Sequence, residues 1–306
     1  MDTSNAYAKP PRGWLKRIRR FVILYGCIPY LSVTAIFAIF QRSLLYHPTV
    51  AEFLTVARLG LDSDFTRDVH IQTQDGHSLN GWLIRHRHGK DTAGDAPLVI
   101  YFPGNAGNRH ERIDDLREVA ASGFDVLIFD YRGFGDSTGS PSEWALTSDA
   151  QRVWQYAIGE LQYDPSRIVV FGESLGGAVA LSLWSAGSGN TPQPAAVILN
   201  STFATMPEVV AWHYPVFPFR YLLLDRWPSI YRIPQVQSPV IIFHGTADDI
   251  VPVFQGRTLA SNSANARFIE ILGATHNEIP MIQLRQELER ILAAVPPRTA
   301  PQRSTP

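Results

Sequence analysis

Apolar positions fall into two regimes along the chain. The first is one run, 21–40 (FVILYGCIPYLSVTAIFAIF), which is apolar on every face and carries no charge. At 1.5 Å per residue, about twenty residues make roughly 30 Å of helix, the hydrocarbon thickness of a bilayer. Pro29 lies inside the run, which membrane helices tolerate. The second regime alternates short, continuously apolar runs with stretches of helical period. The runs cover 98–102, 126–130, 168–171, 196–199, 240–244 and 268–272; the helical stretches cover 108–122, 146–162, 176–186, 253–263 and 281–294. Strands apolar on both faces and separated by helices predict an α/β fold with a mostly parallel central sheet covered by helices on both sides. Two earlier β-like runs, 68–73 and 79–87, meet at a Gln74-Asp75-Gly76 turn.

Three segments stand outside this alternation. Residues 41–64 read as an amphipathic connector, and 86–95 as a polar loop. Between Asn200 and Pro239 no clean strand or helix is legible; Phe203, Trp212, Tyr214, Phe217, Phe219, Tyr221, Trp227 and Tyr231 cluster there with prolines. That cluster is either an aromatic-packed excursion at the sheet edge or, over about 203–235, a lid forming an apolar acyl pocket. The tail 296–306, rich in Pro, Thr, Ser and Arg, is expected to be disordered.

Charge sharpens the first regime. Residues 1–20 hold Lys9, Arg12, Lys16, Arg17, Arg19 and Arg20 against Asp2. A basic flank ahead of a bilayer-length run predicts a single-pass anchor, with the N-terminus cytoplasmic and the remainder on the opposite side. A cleaved signal peptide fits less well, since the run is long and lacks an A-x-A site. A lipoprotein signal would place Leu24-Tyr25-Gly26-Cys27 as its box, yet the apolar run continues past Cys27. Over the whole chain, 27 basic residues balance 28 acidic ones, so nothing points to nucleic acid. The single cysteine excludes an internal disulfide and a cysteine-based metal site. No metal or other cofactor is expected, and the oligomeric state is not legible.

Chemistry concentrates around Gly172-Glu173-Ser174-Leu175-Gly176, which follows an apolar strand and precedes a small-residue helix. This G-x-S-x-G pattern is that of a nucleophile elbow, a crowded turn that lifts a serine hydroxyl above the sheet. A serine hydroxyl needs an imidazole to take its proton and a carboxylate to orient that imidazole. Both follow in the order Ser, acid, His, each just beyond a predicted strand. Asp248 and Asp249 come after 240–244, and His276 after 268–272. Asp248 is favoured as the first out of its strand, with Asp249 left to cap the next helix. His276 alone among the nine histidines lies beyond the acid loop at a strand end. His244 reads as structural, and His213 as a residue of the lid. A developing oxyanion needs two preset donors. The backbone N–H of Leu175 supplies one; the other is expected from Asn105 in the loop Pro103-Gly104-Asn105-Ala106-Gly107-Asn108. The glycine-rich segments match neither a phosphate loop nor a dinucleotide fingerprint.

Taken together, QRSLLYHP (41–48), PGNAGNR (103–109), FDYRGFGDSTGSPSE (129–143), FGESLGG (171–177), NSTF (200–203), HGTADDIVP (244–252) and GATHNEI (273–279) resemble the α/β-hydrolase superfamily. Within it the chain is similar to the membrane-anchored, bud-emergence-type subgroup and to serine aminopeptidase-like hydrolase domains. The resemblance implies an α/β-hydrolase domain over 41–295, with Ser174 as nucleophile, Asp248 as acid and His276 as base. It also implies that Asp130, Arg132, Gly133 and Gly135 are structural turn residues. One departure is Pro103-Gly104, where the family's first loop commonly opens with His-Gly. The expected function is ester or thioester hydrolysis, on an acyl-ester or lipid-like small molecule. Two other readings stay open: an aminopeptidase, and a catalytically silent module used for interaction.

Overall fold

The computed structural model describes residues 13–86, 96–185 and 191–297. The basic residues before Gly13, most of the expected loop at 86–95 and the tail beyond Pro297 lie outside the described residues.

Eight strands form one sheet: β1 (Thr66–Gln72), β2 (Ser78–Ile84), β3 (Leu98–Phe102), β4 (Asp125–Phe129), β5 (Ile168–Glu173), β6 (Ala196–Asn200), β7 (Val240–Gly245) and β8 (Ala266–Ile271). Their spatial order is β8-β7-β6-β5-β3-β4-β2-β1. The β1–β2 and β2–β4 pairs are antiparallel and all others parallel. The tight turn between β1 and β2 permits only an antiparallel pair, whereas helical crossovers permit parallel ones. Every residue of β3 to β7 is buried, as their unbroken apolar runs require. Because side chains alternate across a strand, the sheet carries two cores. Val99, Tyr101, Ile128, Phe171 and Ile198 face one layer; Ile100, Leu127, Val170 and Leu199 face the other.

Seven helices matter to the site: α1 (Trp14–Leu45), α2 (Ile113–Ala121), α3 (Glu143–Gln155), α4 (Leu175–Leu181), α5 (Met206–His213), α6 (Val253–Ser261) and α7 (Met281–Ala294). Helix α1 extends past the apolar run at both ends, so the start of the expected connector is helical. One widened turn interrupts it at Ile23–Cys27, just before Pro29. It is long and apolar enough to cross a membrane and is almost entirely exposed.

The segment 200–239 contains more regular structure than its sequence suggests. Helix α5 is capped by the Thr205 side chain, which accepts from the N–H of Glu208, with Pro207 in the first turn. Two single turns follow, Phe219–Leu222 and Ser229–Arg232. One face of α1 packs here: Tyr30 stacks on Phe217 with ring centroids 5.1 Å apart, and Phe37 on Phe219 at 3.9 Å.

Candidate functional site

Strand β5 runs into Ser174, which adopts φ 52° and ψ −117° before α4 begins. A non-glycine residue at positive φ is strained, and the neighbours show what enforces it. A Cβ on Gly176 would lie 1.9 Å from the carbonyl oxygen of Phe102, and one on Gly172 would lie 2.5 Å from the carbonyl oxygen of Gly176. Both glycines are therefore required by close backbone approach. The turn is fastened by Ser174 N–H donating to Asn200 O at 2.8 Å and by Thr202 Oγ1 donating to Ser174 O at 2.7 Å.

The three residues singled out from sequence converge on this turn. Ser174 Oγ lies 2.9 Å from His276 Nε2, and His276 Nδ1 lies 2.8 Å from Asp248 Oδ2. All three are buried. A carboxylate can only accept, so Nδ1 of His276 carries the hydrogen and Nε2 is left to accept from the serine. The other oxygen, Asp248 Oδ1, accepts from the N–H groups of Ile250 at 3.0 Å and Val251 at 2.7 Å. Burial pushes the Asp248 carboxyl upward in pKa. The His244 and His276 ring N–H groups, with the Val251 amide, outweigh burial and hold it well below the usual carboxylate range.

Asp249, by contrast, is exposed, and α6 begins at Val253 after Pro252 with no side-chain cap. The expected capping role for Asp249 is not met: the helix starts four residues later, beyond its reach. His244 is fully buried behind the acid, with Nε2 2.7 Å from Val251 O and 3.3 Å from Asp248 Oδ2. Its structural role is thus to hold the loop that presents Asp248. His213 sits on the α5 end and contacts Ile250 O at 2.9 Å.

The loop after β3 lies alongside. A Cβ on Gly104 would be 3.7 Å from Ser174 Cβ. Asn105 is tied to the end of α1: its Nδ2 donates to Leu45 O at 2.8 Å and its carbonyl accepts from His47 N–H at 2.8 Å. Further along, the buried Arg109 pairs with Asp130 and, at 2.6 Å, with Asp136. Gly135, at φ 53°, makes room for Asp130 Oδ2, which a Cβ would approach to 2.0 Å. These ion pairs hold the loop against the end of β4.

Sequence reasoning passed over Glu173. Its carboxylate accepts from Tyr101 Oη–H at 2.7 Å and from Arg112 Nε at 3.2 Å, directly beside Ser174. Burial, then the Glu173 charge, drives the Tyr101 phenol well up in pKa, so it stays a donor. The signal was a charged residue at the end of an apolar strand, which burial forbids without partners. Among the described residues no group of three His, Cys, Asp or Glu could hold a metal ion.

Comparison with known proteins adds four findings. The α/β hydrolase fold family matches residues 97–212. Protein bem46 of Schizosaccharomyces pombe is 30% identical, over 84% of this chain and 88% of that protein. Lysophosphatidylserine lipase ABHD12 of Danio rerio is also 30% identical, over 66% of this chain and 60% of that protein. The esterase Pf2001 of Pyrococcus furiosus superposes with a TM-score of 0.61 over 82% of this chain and 98% of its own; at 18% identity that likeness concerns the fold.

Proposed function

Because the chain belongs to the α/β-hydrolase family, we propose that it is a membrane-anchored serine hydrolase, cleaving carboxylic esters or thioesters through an acyl-enzyme. The observation that carries the proposal is the continuous hydrogen-bonded chain from Ser174 Oγ through His276 to Asp248. In this reading His276 Nε2 takes the hydroxyl proton as Ser174 Oγ attacks the acyl carbon. The carbonyl π electrons move onto oxygen, where the N–H groups of Asn105 and Leu175 receive them. Leu175 opens α4, so its N–H has no residue of that helix to bond. Collapse of the intermediate expels the alcohol or thiol, which takes the proton from His276. Water then adds to the acyl-enzyme by the same route in reverse, releasing the acid and restoring Ser174. Asp248 holds the imidazole in the required tautomer and stays ionised throughout.

The anchor supplies the location: α1 spans the bilayer, with Lys16, Arg17, Arg19 and Arg20 on the cytoplasmic side and the catalytic domain over 41–295 opposite. A lipid-derived ester suits an enzyme held at a membrane, and the Danio rerio relative is named for hydrolysing a lysophospholipid. A fluorophosphonate probe tests the chemistry, since it labels only an activated serine. The wild-type chain is expected to be labelled and Ser174→Ala to remain unlabelled; equal labelling of both would refute the assignment.

A further inference from the structure

Helix α1 is not a bare tether. Along one face it holds the segment 214–224 (YPVFPFRYLLL) through contacts spread over three turns. Tyr30 Oη donates to Val216 O at 3.0 Å, and its ring stacks on Phe217. Phe37 stacks on Phe219. Gln41 Nε2 donates to Leu222 O at 3.2 Å, and Gln41 Oε1 accepts from Leu224 N–H at 2.7 Å. Arg42 Nε then pairs with Asp225 Oδ2 at 3.0 Å.

The two elements change polarity at the same height. The helix stays apolar to Phe40 and turns polar at Gln41 and Arg42; the segment, apart from Arg220, stays apolar to Leu224 and turns polar at Asp225 and Arg226. Tyr30 lies ten residues below Phe40, about 15 Å along the axis, or half of a roughly 30 Å hydrocarbon layer. Whatever surrounds the helix at that depth also surrounds Val216 and Phe217. The outer side of the segment is apolar and open: Val216 is 72% exposed, Tyr221 75% and Leu224 65%. Part of its polar backbone is satisfied within the protein. Pro215 and Pro218 carry no N–H, Phe217 N–H donates to Tyr214 O, and side chains of α1 satisfy Val216 O, Leu222 O and Leu224 N–H. The one charge, Arg220, packs its guanidinium 5.4 Å from the Tyr221 ring, on a stem long enough to reach the headgroups.

We propose that segment 214–224 is inserted in the bilayer against the outer half of α1, as a second membrane contact of the same domain. The occupant of its exposed face is lipid acyl chain. The proposal rests on the reading of α1 as a membrane anchor and extends it. Its consequence is directional. From the segment, α5 leads back through Trp212, its ring tilted against Phe254 with centroids 5.5 Å apart, to the exposed Ile250 in the loop that carries Asp248. Exposed Tyr214, Trp212 and Ile250 thus lie between the bilayer and the acid loop, with His213 among them, and give an acyl chain a partly apolar approach to the site.

Depth measurement decides the matter. In a Cys27→Ser background, nitroxide labels are attached to the full-length protein in phosphatidylcholine vesicles through Val216→Cys, Tyr221→Cys, Val33→Cys and Ser261→Cys. All four native side chains are exposed, so the labels should not disturb packing. Collisions with molecular oxygen and with an aqueous nickel chelate are then compared. Labels at 216 and 33 should meet the chelate about tenfold less often than the label at 261, and oxygen more often, because the hydrocarbon excludes the polar reagent. The label at 221 should be shielded from the chelate as well. If 216 and 221 meet the chelate as 261 does while 33 stays in lipid, insertion is refuted and the anchor stands. If 33 also meets the chelate, the anchor reading itself fails and insertion falls with it. Shielding of 216 and 221 from both reagents would mean that a protein surface covers the segment, which refutes lipid contact too.

Discussion

Two imidazoles address a single carboxylate oxygen, since His276 Nδ1 and His244 Nε2 lie 2.8 and 3.3 Å from Asp248 Oδ2. Their combined donation, with two backbone amides on Oδ1, keeps Asp248 ionised in a buried place. Replacing it as Asp248→Asn offers an amide hydrogen where an acceptor is needed and favours the wrong histidine tautomer, so kcat should fall by about 10⁴. A fall of less than tenfold on an activated ester would remove Asp248 from the mechanism. The same group sets a stability limit. Its folded pKa is depressed, so its contribution is fully present above the unfolded value of about 4 and is lost as pH falls through the lower folded value. Urea unfolding of the wild type should therefore weaken progressively below about pH 4, and Asp248→Asn should show a shallower loss over that window. The choice between Asp248 and Asp249 was partly legible in the sequence, since only one of two neighbours can face a given loop. The presence of His244 behind the carboxylate was not, because nothing in the local pattern tells which side of the strand end the ring occupies.

At the scale of the element, the turn around Ser174 is fixed by what cannot be accommodated. Gly176 abuts the Phe102 carbonyl on neighbouring β3, a backbone atom that cannot swing aside. Gly176→Ala should destabilise the fold by about 3 kcal/mol, at the upper end of overpacking, and abolish probe labelling. Gly159 provides the contrast, with open space where a Cβ would stand in a helical turn. There, Gly159→Ala should be neutral or stabilising by up to about 1 kcal/mol. Equal losses in urea denaturation for both substitutions would show that steric closure does not set the Gly176 requirement. The strands and most helices were readable because burial on both faces and helical period leave a local imprint. Helix α5 was not read, although Thr205 and Glu208 carry a helix-start spacing, because the surrounding prolines and aromatics mask its period. The extension of α1 to Leu45 was missed for a similar reason: Gln41 and Arg42 look like the end of a helix when their partners are unseen.

Those partners lie far along the chain, with Leu222 181 positions beyond Gln41, and no pattern of spacing predicts such a pairing. The pairing nonetheless joins two parts of the molecule. The end of α1 touches segment 214–224 through Gln41 and the loop after β3 through Leu45, whose carbonyl accepts from Asn105 Nδ2. One helix end therefore braces both the apolar approach to the site and the loop proposed to hold the oxyanion. Gln41→Leu keeps the size and the apolar contacts but removes the two hydrogen bonds to the segment. Leu222 O and Leu224 N–H then lose their partners, at a cost of about 1–3 kcal/mol for each group that stays buried. If the bracing serves delivery of membrane-borne substrate, the damage should depend on how the substrate arrives. Hydrolysis of a short, water-soluble nitrophenyl ester should stay within about twofold of wild type, whereas KM for a long-chain monoacyl ester carried in vesicles should rise several-fold with kcat little changed. A uniform fall in kcat on both substrates would instead mean that the contact only stabilises the catalytic turn. A change confined to the melting temperature would mean that segment and site work independently.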